Sequence, residues 1–199
     1  DLKDRWGQAL GQDYVFSFTE PDAPPSVSFG NYAPALFTRP NEPGVHVQAV
    51  NINTMSVSFG SMTLADFFQF DTDYAFREGY YSFDGQSWNI SPTLQKNDNQ
   101  PVYVQLRDQQ LDPGLYFVNV ESQEATYAQD NRRVLISSNL NVTMKTSPTE
   151  VLIWAVDLRT QQPVKNVSVQ IYSQDKNVIA SGVTNEEGLW QGPVPAVRA

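Results

Sequence analysis

The chain contains no cysteine and a single histidine among its 199 residues. Without cysteine it can form no disulfide, no zinc–thiolate site and no thiol nucleophile. The histidine, His46, lies between Val45 and Val47 with no second histidine or obvious carboxylate partner in its neighbourhood of the sequence. Alternation places it on the strand face opposite both valines, where we expect it to be exposed rather than catalytic. We assign no catalytic residue.

Long apolar runs and positive charge are also scarce. No stretch approaches the roughly 18 consecutive apolar residues of a membrane helix, and no basic start followed by an apolar segment marks a signal peptide. We therefore expect Asp1 to be an internal cut of a longer protein. The 13 Lys and Arg against 22 Asp and Glu give a net charge of −9, which repels phosphate backbones and anionic lipid. We expect no nucleic-acid partner and no membrane contact by this chain.

Carboxylates occur in pairs, but not with the spacing of a metal site. Asp71 is close to Asp73, Glu186 adjoins Glu187, and Asp84 precedes a glycine. Calcium requires six to eight oxygen ligands, and neither pair supplies the spaced set of a known calcium loop. Phosphate-binding glycine loops, G-x-S-x-G and zinc spacings are missing too. We expect no metal site and no cofactor-binding residue.

The composition is that of an all-β protein. Val, Thr, Tyr, Phe and Trp recur in short alternating runs, and 11 Gly and 13 Pro separate them. The runs predict strands near 14–19, 26–29, 45–52, 54–59, 102–106, 115–120, 133–138, 151–156, 167–172 and 178–183. One helix is predicted in 63–76, where Thr63 caps the start and Asp66 occupies the third helical position. We expect its aromatic residues to pack on a sheet rather than line a ligand groove.

Two segments read as connections. Residues 20–25 carry three prolines in five residues, which favours an extended spacer. The polar loop at 121–131 is the second expected boundary. The triplet Asn97-Asp98-Asn99 is most simply a hairpin tip.

The most regular part of the chain is 151–190. Two runs with period two flank the turn Thr160-Gln161-Gln162-Pro163, and a third run ends near Gly188, which can take positive φ in a tight turn. We expect these three strands to form the edge of a sandwich.

This segment, a strand followed by D-L-x-T-x-x-P-V-x-x-V, a second strand and S-G-x-T-x-x-x-G, resembles a macroglobulin-like domain of bacterial alpha-2-macroglobulin family proteins. The residues that carry the match are Asp157, Thr160, Pro163, Val164, Val167, Thr184 and Gly188. Similar strings occur in other extracellular Ig-like modules. Two more segments support the family: D-P-G-L-Y-F-V at 112–118 resembles a join between consecutive macroglobulin-like domains, and 1–19 resembles the closing strand of an Ig-like domain.

The resemblance implies tandem antiparallel β-sandwich domains, Ig-like or macroglobulin-like, with one short helix. Residues 1–20 would be the end of a preceding Ig-like domain or an N-terminal strand. Residues 21–130 would form one macroglobulin-like sandwich, and 131–199 a second one or a truncated part of it.

The function that the resemblance implies is that of non-catalytic scaffold domains in a bacterial broad-spectrum protease inhibitor that entraps proteases. Such a protein is extracytoplasmic and often lipid-anchored. The partners would be neighbouring domains of the same chain and, through the whole protein, target proteases. Some members of the family form an internal thioester from Cys and Gln, and this chain has no thioester residue because it has no cysteine.

Two other functions stay open. An Ig-like stalk or adhesin of a cell surface fits the same composition. A carbohydrate-binding module would use exposed aromatic residues, for which Trp88, Tyr80 and Tyr81 are candidates. The sequons at Asn89, Asn141 and Asn166 are interpreted as chance triplets in a sequence rich in Asn, Ser and Thr.

Overall fold

The computed structural model describes residues 3–9, 15–30, 35–72, 85–126 and 131–195, apart from the side chains of residues 71 and 72. In these residues the chain forms thirteen strands in four sheets and one helix of nine residues, which confirms the predicted all-β fold with a short helix. Several residues of the sequence predictions lie outside the described residues: Asp1, Tyr14, Asp73, Tyr80, Tyr81, Asp84 and 127–130.

The first sheet pair is formed by eight strands. They are β1 (Ser26–Ser28), β2 (Ala35–Thr38), β3 (Gly44–Val50), β4 (Met55–Met62), β5 (Gln86–Ile90), β6 (Gln100–Gln105), β7 (Gly114–Glu121) and β8 (Arg132–Ser137). One sheet has the order β1-β3-β6, and the other has the order β2-β8-β7-β4-β5. All neighbours are antiparallel except β2 and β8, which run parallel in the register Ala35 to Val134. The sequence did not indicate this parallel pair.

The core of the first sheet pair lies between its two sheets. Alternate residues of β3, β4 and β7 point inward, and Val47, Val57 and Val118 are fully buried there. Tyr116, near the start of β7, is buried and belongs to this core. Its hydroxyl donates to the carbonyl of Asp112 at 2.9 Å. Burial, and then the Asp112 carboxylate, raise the pKa of Tyr116. The bond fixes the D-P-G turn against the sheet that follows it.

The helix α1 (Leu64–Thr72) covers the outer face of the five-stranded sheet. Its start has the predicted reciprocal cap: Asp66 N donates to Thr63 Oγ1 at 3.1 Å, and Thr63 N donates to Asp66 Oδ2 at 3.1 Å. Phe70 meets the buried Phe117 of β7 edge to face, with ring centroids 5.7 Å apart. The described aromatic residues of the helix therefore pack as predicted, whereas Leu64 is exposed.

The second sheet pair is formed by the remaining five strands. They are β9 (Leu140–Thr146), β10 (Glu150–Asp157), β11 (Ser168–Tyr172), β12 (Val178–Val183) and β13 (Leu189–Pro193). One sheet has the order β13-β10-β9, and β11 and β12 form a two-stranded hairpin. Val151 and Ile153 of β10 pack against Val169 of β11. The strand β10 is thus the centre of its sheet.

Two expectations from the sequence differ from the structure. Residues 15–19 form no strand. The triplet at 97–99 is not a hairpin tip, because the strands on either side of it, β5 and β6, belong to different sheets. The strand β8 pairs with β7 and β2 of the first sheet pair. The domain boundaries stay a prediction, and this pairing favours a division after residue 137 over one inside 121–131.

Candidate functional site

The structure describes the side chains of three residues considered for catalysis or metal binding: His46, Glu186 and Glu187. His46 is exposed on β3 as predicted, with its ring 5.2 Å from that of Tyr103. Glu186 pairs with Lys165 at 3.1 Å on the surface, and the adjacent Glu187 belongs to a turn closed by Asn185. In the part of the chain that the structure describes, no three potential metal ligands lie together.

Trp88, the candidate for carbohydrate binding within the described residues, packs against the core, whereas Tyr80 and Tyr81 lie outside them. Trp88 on β5 is half-buried and contacts the core of the first sheet pair. It therefore offers no free aromatic platform. The asparagines of the three sequons are all exposed, and nothing in their surroundings distinguishes them.

The residues that carry the family resemblance meet in one polar joint. Asp157 ends β10, and its Oδ1 accepts from the backbone N–H of Thr160 at 2.7 Å and of Arg159 at 2.8 Å. Thr160 first, and then Arg159, hold the pKa of Asp157 below its usual value through these bonds. The chain turns back here, so that Pro163 forms a bridge with Val156.

Thr184 closes the other side of this joint. Its buried hydroxyl donates to the carbonyl of Val164 at 2.7 Å and accepts from Val167 N at 2.9 Å. Gly188 has φ +70, and a Cβ there would meet the carbonyl of Ala155 and the backbone of Val164. The matched residues are thus spaced as they are because they fasten the β10–β11 loop to the turn before β13. Their role is structural.

The strand β9 has an apolar face that nothing in the described residues covers. Val142 pairs with Ala155, and Met144 pairs with Ile153, and directly opposed residues of an antiparallel pair point to the same side of the sheet. Ala155 and Ile153 are buried, but Val142 is 52% and Met144 58% exposed. We call Val142 and Met144 the β9 face. It continues the interior of the second sheet pair beyond the area that the β11–β12 hairpin covers.

A groove adjoins the β9 face where the two sheet pairs meet. Its volume is about 680 Å³, and it lies between β2 on one side and β9 with Leu158 on the other. Phe37 of β2, 71% exposed, lines it together with Val142. Beside the groove, Leu158 N donates to the carbonyl of Asn139, which lies between β8 and β9, at 2.7 Å. The rings of Phe68 in α1 and Tyr172 in β11 provide a second contact between the two sheet pairs, meeting edge to face at 5.0 Å.

Sequence reasoning missed this apolar surface. The alternation of Val142 and Met144 with Asn141, Thr143 and Lys145 is a strand signal, but it does not reveal which face is left uncovered.

No helix of the described residues is long and apolar enough to cross a membrane.

A protein-family model matches the sequence of the last third of the chain. The family model of the bacterial alpha-2-macroglobulin MG3 domain matches residues 137–196, a span that begins at the last residue of β8. No curated protein matches the chain.

Solved structures resemble nearly the whole chain in fold. A crystal structure of native alpha-2-macroglobulin from Escherichia coli spanning domains NIE-MG1 is 16% identical with a TM-score of 0.66, over 84% of this chain and 86% of that chain. A longer crystal structure, spanning MG0-NIE-MG1, is 17% identical with a TM-score of 0.69, over 92% of this chain and 62% of that one.

A cryo-EM reconstruction of the native conformation of E. coli alpha-2-macroglobulin is 17% identical with a TM-score of 0.58. The match covers 97% of this chain and only 13% of that chain. At such identities the likeness concerns the fold. In the solved structures the matched region is part of a multi-domain chain. Residues 137–196 thus match the bacterial alpha-2-macroglobulin MG3 domain, and the resemblance of the chain to a bacterial alpha-2-macroglobulin family protein is confirmed.

Proposed function

We propose that the chain is a non-catalytic scaffold within a longer bacterial protein that entraps proteases. The observation that carries this proposal is the β9 face next to the groove, within a segment that matches the MG3 domain. Covering apolar surface that faces water is favourable, and contiguous exposed apolar surface marks a site of interaction. A surface of this kind suits a unit that is assembled with neighbours and does not work alone.

In this proposal the division between the two domains lies near residues 137–139 rather than at 131. The first domain ends with β8, which completes the five-stranded sheet, and the second begins with β9. The segment that covers the β9 face comes from elsewhere in the same polypeptide. The free side of β11 is the natural place for it, because a strand added to the β11–β12 hairpin there extends the covering sheet over β9.

The role in entrapment follows from the family and is part of the proposal. The joint at Asp157 and Thr184 and the packed core give the chain shape without a reactive group. We propose that the whole protein works outside the cytoplasm, anchored by a lipid, and that target proteases are bound by the assembled protein and not by this chain. The chain would have no enzymatic activity of its own.

The experiment compares the 199-residue chain with the longer protein that contains it. The longer protein is incubated with a protease, and activity is measured on a small chromogenic peptide and on a large protein substrate. Entrapment predicts that hydrolysis of the small peptide persists while hydrolysis of the large substrate falls, since an enclosed protease is reached only by small molecules. The 199-residue chain alone should change neither rate.

Two results would contradict the proposal. If the 199-residue chain alone lowered the rate of hydrolysis of both substrates, it would be a direct inhibitor of the protease. Equal hydrolysis of both substrates with and without the longer protein would favour a stalk or adhesin, whose function is binding.

A further inference from the structure

The proline-rich segment before β1 is held against the first sheet pair by side chains. Ala23 donates its backbone N–H to Asn97 Oδ1 at 2.9 Å, and its carbonyl accepts from Asn51 Nδ2 at 2.7 Å. Both backbone hydrogen-bonding groups of Ala23 are therefore satisfied by two asparagine amides, much as an adjacent strand would satisfy them. We call residues 22–25 the strap.

The two asparagines are also fixed to each other. Asn51 Nδ2 donates to Asn97 Oδ1 at 2.8 Å, and Asn97 N donates to Asn51 Oδ1 at 2.8 Å. Both have left-handed backbone, with φ 49 at Asn51 and φ 63 at Asn97, a conformation that asparagine adopts more readily than most residues. Asn51 directly follows β3, whereas Asn97 lies in the turn between β5 and β6. Two distant loops thus converge on one residue of the strap.

The strap has two further attachments. Asp22 accepts from Asn97 Nδ2 at 3.1 Å and forms an ion pair with Lys96 at 2.8 Å. At the other end, Thr126 N donates to the carbonyl of Pro25 at 3.1 Å. Contacts with Lys96, and then with Asn97, hold the pKa of Asp22 below its usual value. The strap is attached at Asp22, Ala23 and Pro25, which leaves no free pivot between them.

We propose that Asn51, Asn97 and the Asp22–Lys96 pair form an anchor that fixes the direction in which the chain enters the first sheet pair. A proline-rich spacer is stiff along its length but pivots where it meets a folded unit. The anchor removes the pivot on this side, so the chain leaves the first sheet pair at Asp22 in a defined direction. The purpose of such an anchor rests on the proposed scaffold function, whereas its geometry can be tested without reference to proteases.

The absence of cysteine permits a distance measurement with two introduced labels. Spin labels at Glu20→Cys, ahead of the strap, and at Gln123→Cys, on an exposed loop of the first sheet pair, report the direction of the segment. The proposal predicts one narrow distance distribution in the 199-residue chain. Asn97→Gly and Asn51→Gly, which keep the left-handed backbone but remove the amides, should each broaden it.

Asn166→Gly is the matched control. It is another exposed asparagine with left-handed backbone, φ 60, and lies outside the anchor, so its distribution should equal that of the parent. A broad distribution in the parent, or a narrow one in both anchor variants, would overturn the proposal. Asp22→Ala, which leaves both asparagines in place and involves only exposed groups, should broaden the distribution partially.

Hydrogen exchange supplies a second measurement in the same variants. The amide of Ala23 is donated to Asn97, so Asn97→Gly should accelerate its exchange about tenfold, the factor expected from losing roughly one net hydrogen bond. Asn166→Gly should leave this rate unchanged. Equal exchange at Ala23 in the parent and Asn97→Gly would show that the anchor does not hold the strap in solution.

Discussion

The two sheet pairs differ in how much of their own apolar surface they cover. The first encloses its inter-sheet core between β3, β4, β6 and β7 and covers the other face of the five-stranded sheet with α1. In the described residues, the second buries only Val151, Ile153 and Val169 in its core cluster and leaves the β9 face exposed to solvent. The first pair thus covers both faces of its central strands, whereas the second leaves part of the inner face of its three-stranded sheet exposed in the described residues.

The largest effect is expected in the core of the first sheet pair. Phe117 is fully buried against Phe70, so Phe117→Ala should lower the free energy of unfolding by about 3–5 kcal/mol. Phe37→Ala, at an exposed ring on the same sheet, should change it by less than about 0.5 kcal/mol. Urea unfolding followed by circular dichroism measures both. Similar costs for the two variants would break the distinction between covered and uncovered apolar surface.

The next effect concerns the joint of the second sheet pair. Gly188→Ala adds a Cβ at φ +70 that meets Ala155 and Val164, and we expect a loss of about 1–3 kcal/mol in the unfolding of the second sheet pair. Gly7→Ala is the control, because Gly7 also has positive φ but open space around its Cβ. The signals of the β10 amides in hydrogen exchange report the transition. Stability unchanged by Gly188→Ala would show that the joint is not what holds this unit.

A smaller effect is expected at the cap of α1. Thr63→Ala removes the hydroxyl that accepts from Asp66 N, and such changes cost about 1 kcal/mol. The helix covers Phe117, so the loss should appear in the unfolding of the first sheet pair and leave the second unaffected. Thr93→Ala, in an exposed loop, is the reference. An equal loss in the second sheet pair would indicate that the two units unfold together.

The smallest effect is a pH dependence that belongs to the second sheet pair. The lowered pKa of Asp157 means that its carboxylate stabilises the fold above the unfolded pKa of about 4 and that this contribution is lost as pH falls through the folded pKa. Asp157→Asn should therefore flatten the fall of the melting temperature below about pH 4. Thermal melts from pH 7 to 2 test this. A parallel fall in parent and variant would remove Asp157 from the pH response.

Local signals in the sequence were sufficient where a pattern and its partner lie close together. The alternation of Val151 and Ile153 gave β10, the turn at Gly188 has the expected positive φ, and Thr63 with Asp66 forms the expected cap. These features depend on neighbours within a few residues. Sequence alone was therefore adequate for them.

The sequence does not predict correctly the features that depend on residues far apart in the chain. Residues 15–19 alternate like a strand but pair with none in the described residues, and the polar β5 was not recognised because its position is set by pairing with β4. The anchor needs Asn51 and Asn97 to meet across 46 residues, which no local pattern indicates. The open β9 face is equally invisible in the sequence, since exposure is decided by what lies above a strand.

The central claim, that the β9 face is covered in the longer protein, can be tested with the three methionines of the chain. Met144 is 58% exposed, whereas Met55 and Met62 are buried. Oxidation by dilute peroxide, followed by mass spectrometry, should modify Met144 rapidly and the other two slowly in the 199-residue chain. In the longer protein we predict that Met144 becomes as slow as Met55. Equally rapid oxidation of Met144 in both proteins would contradict the claim.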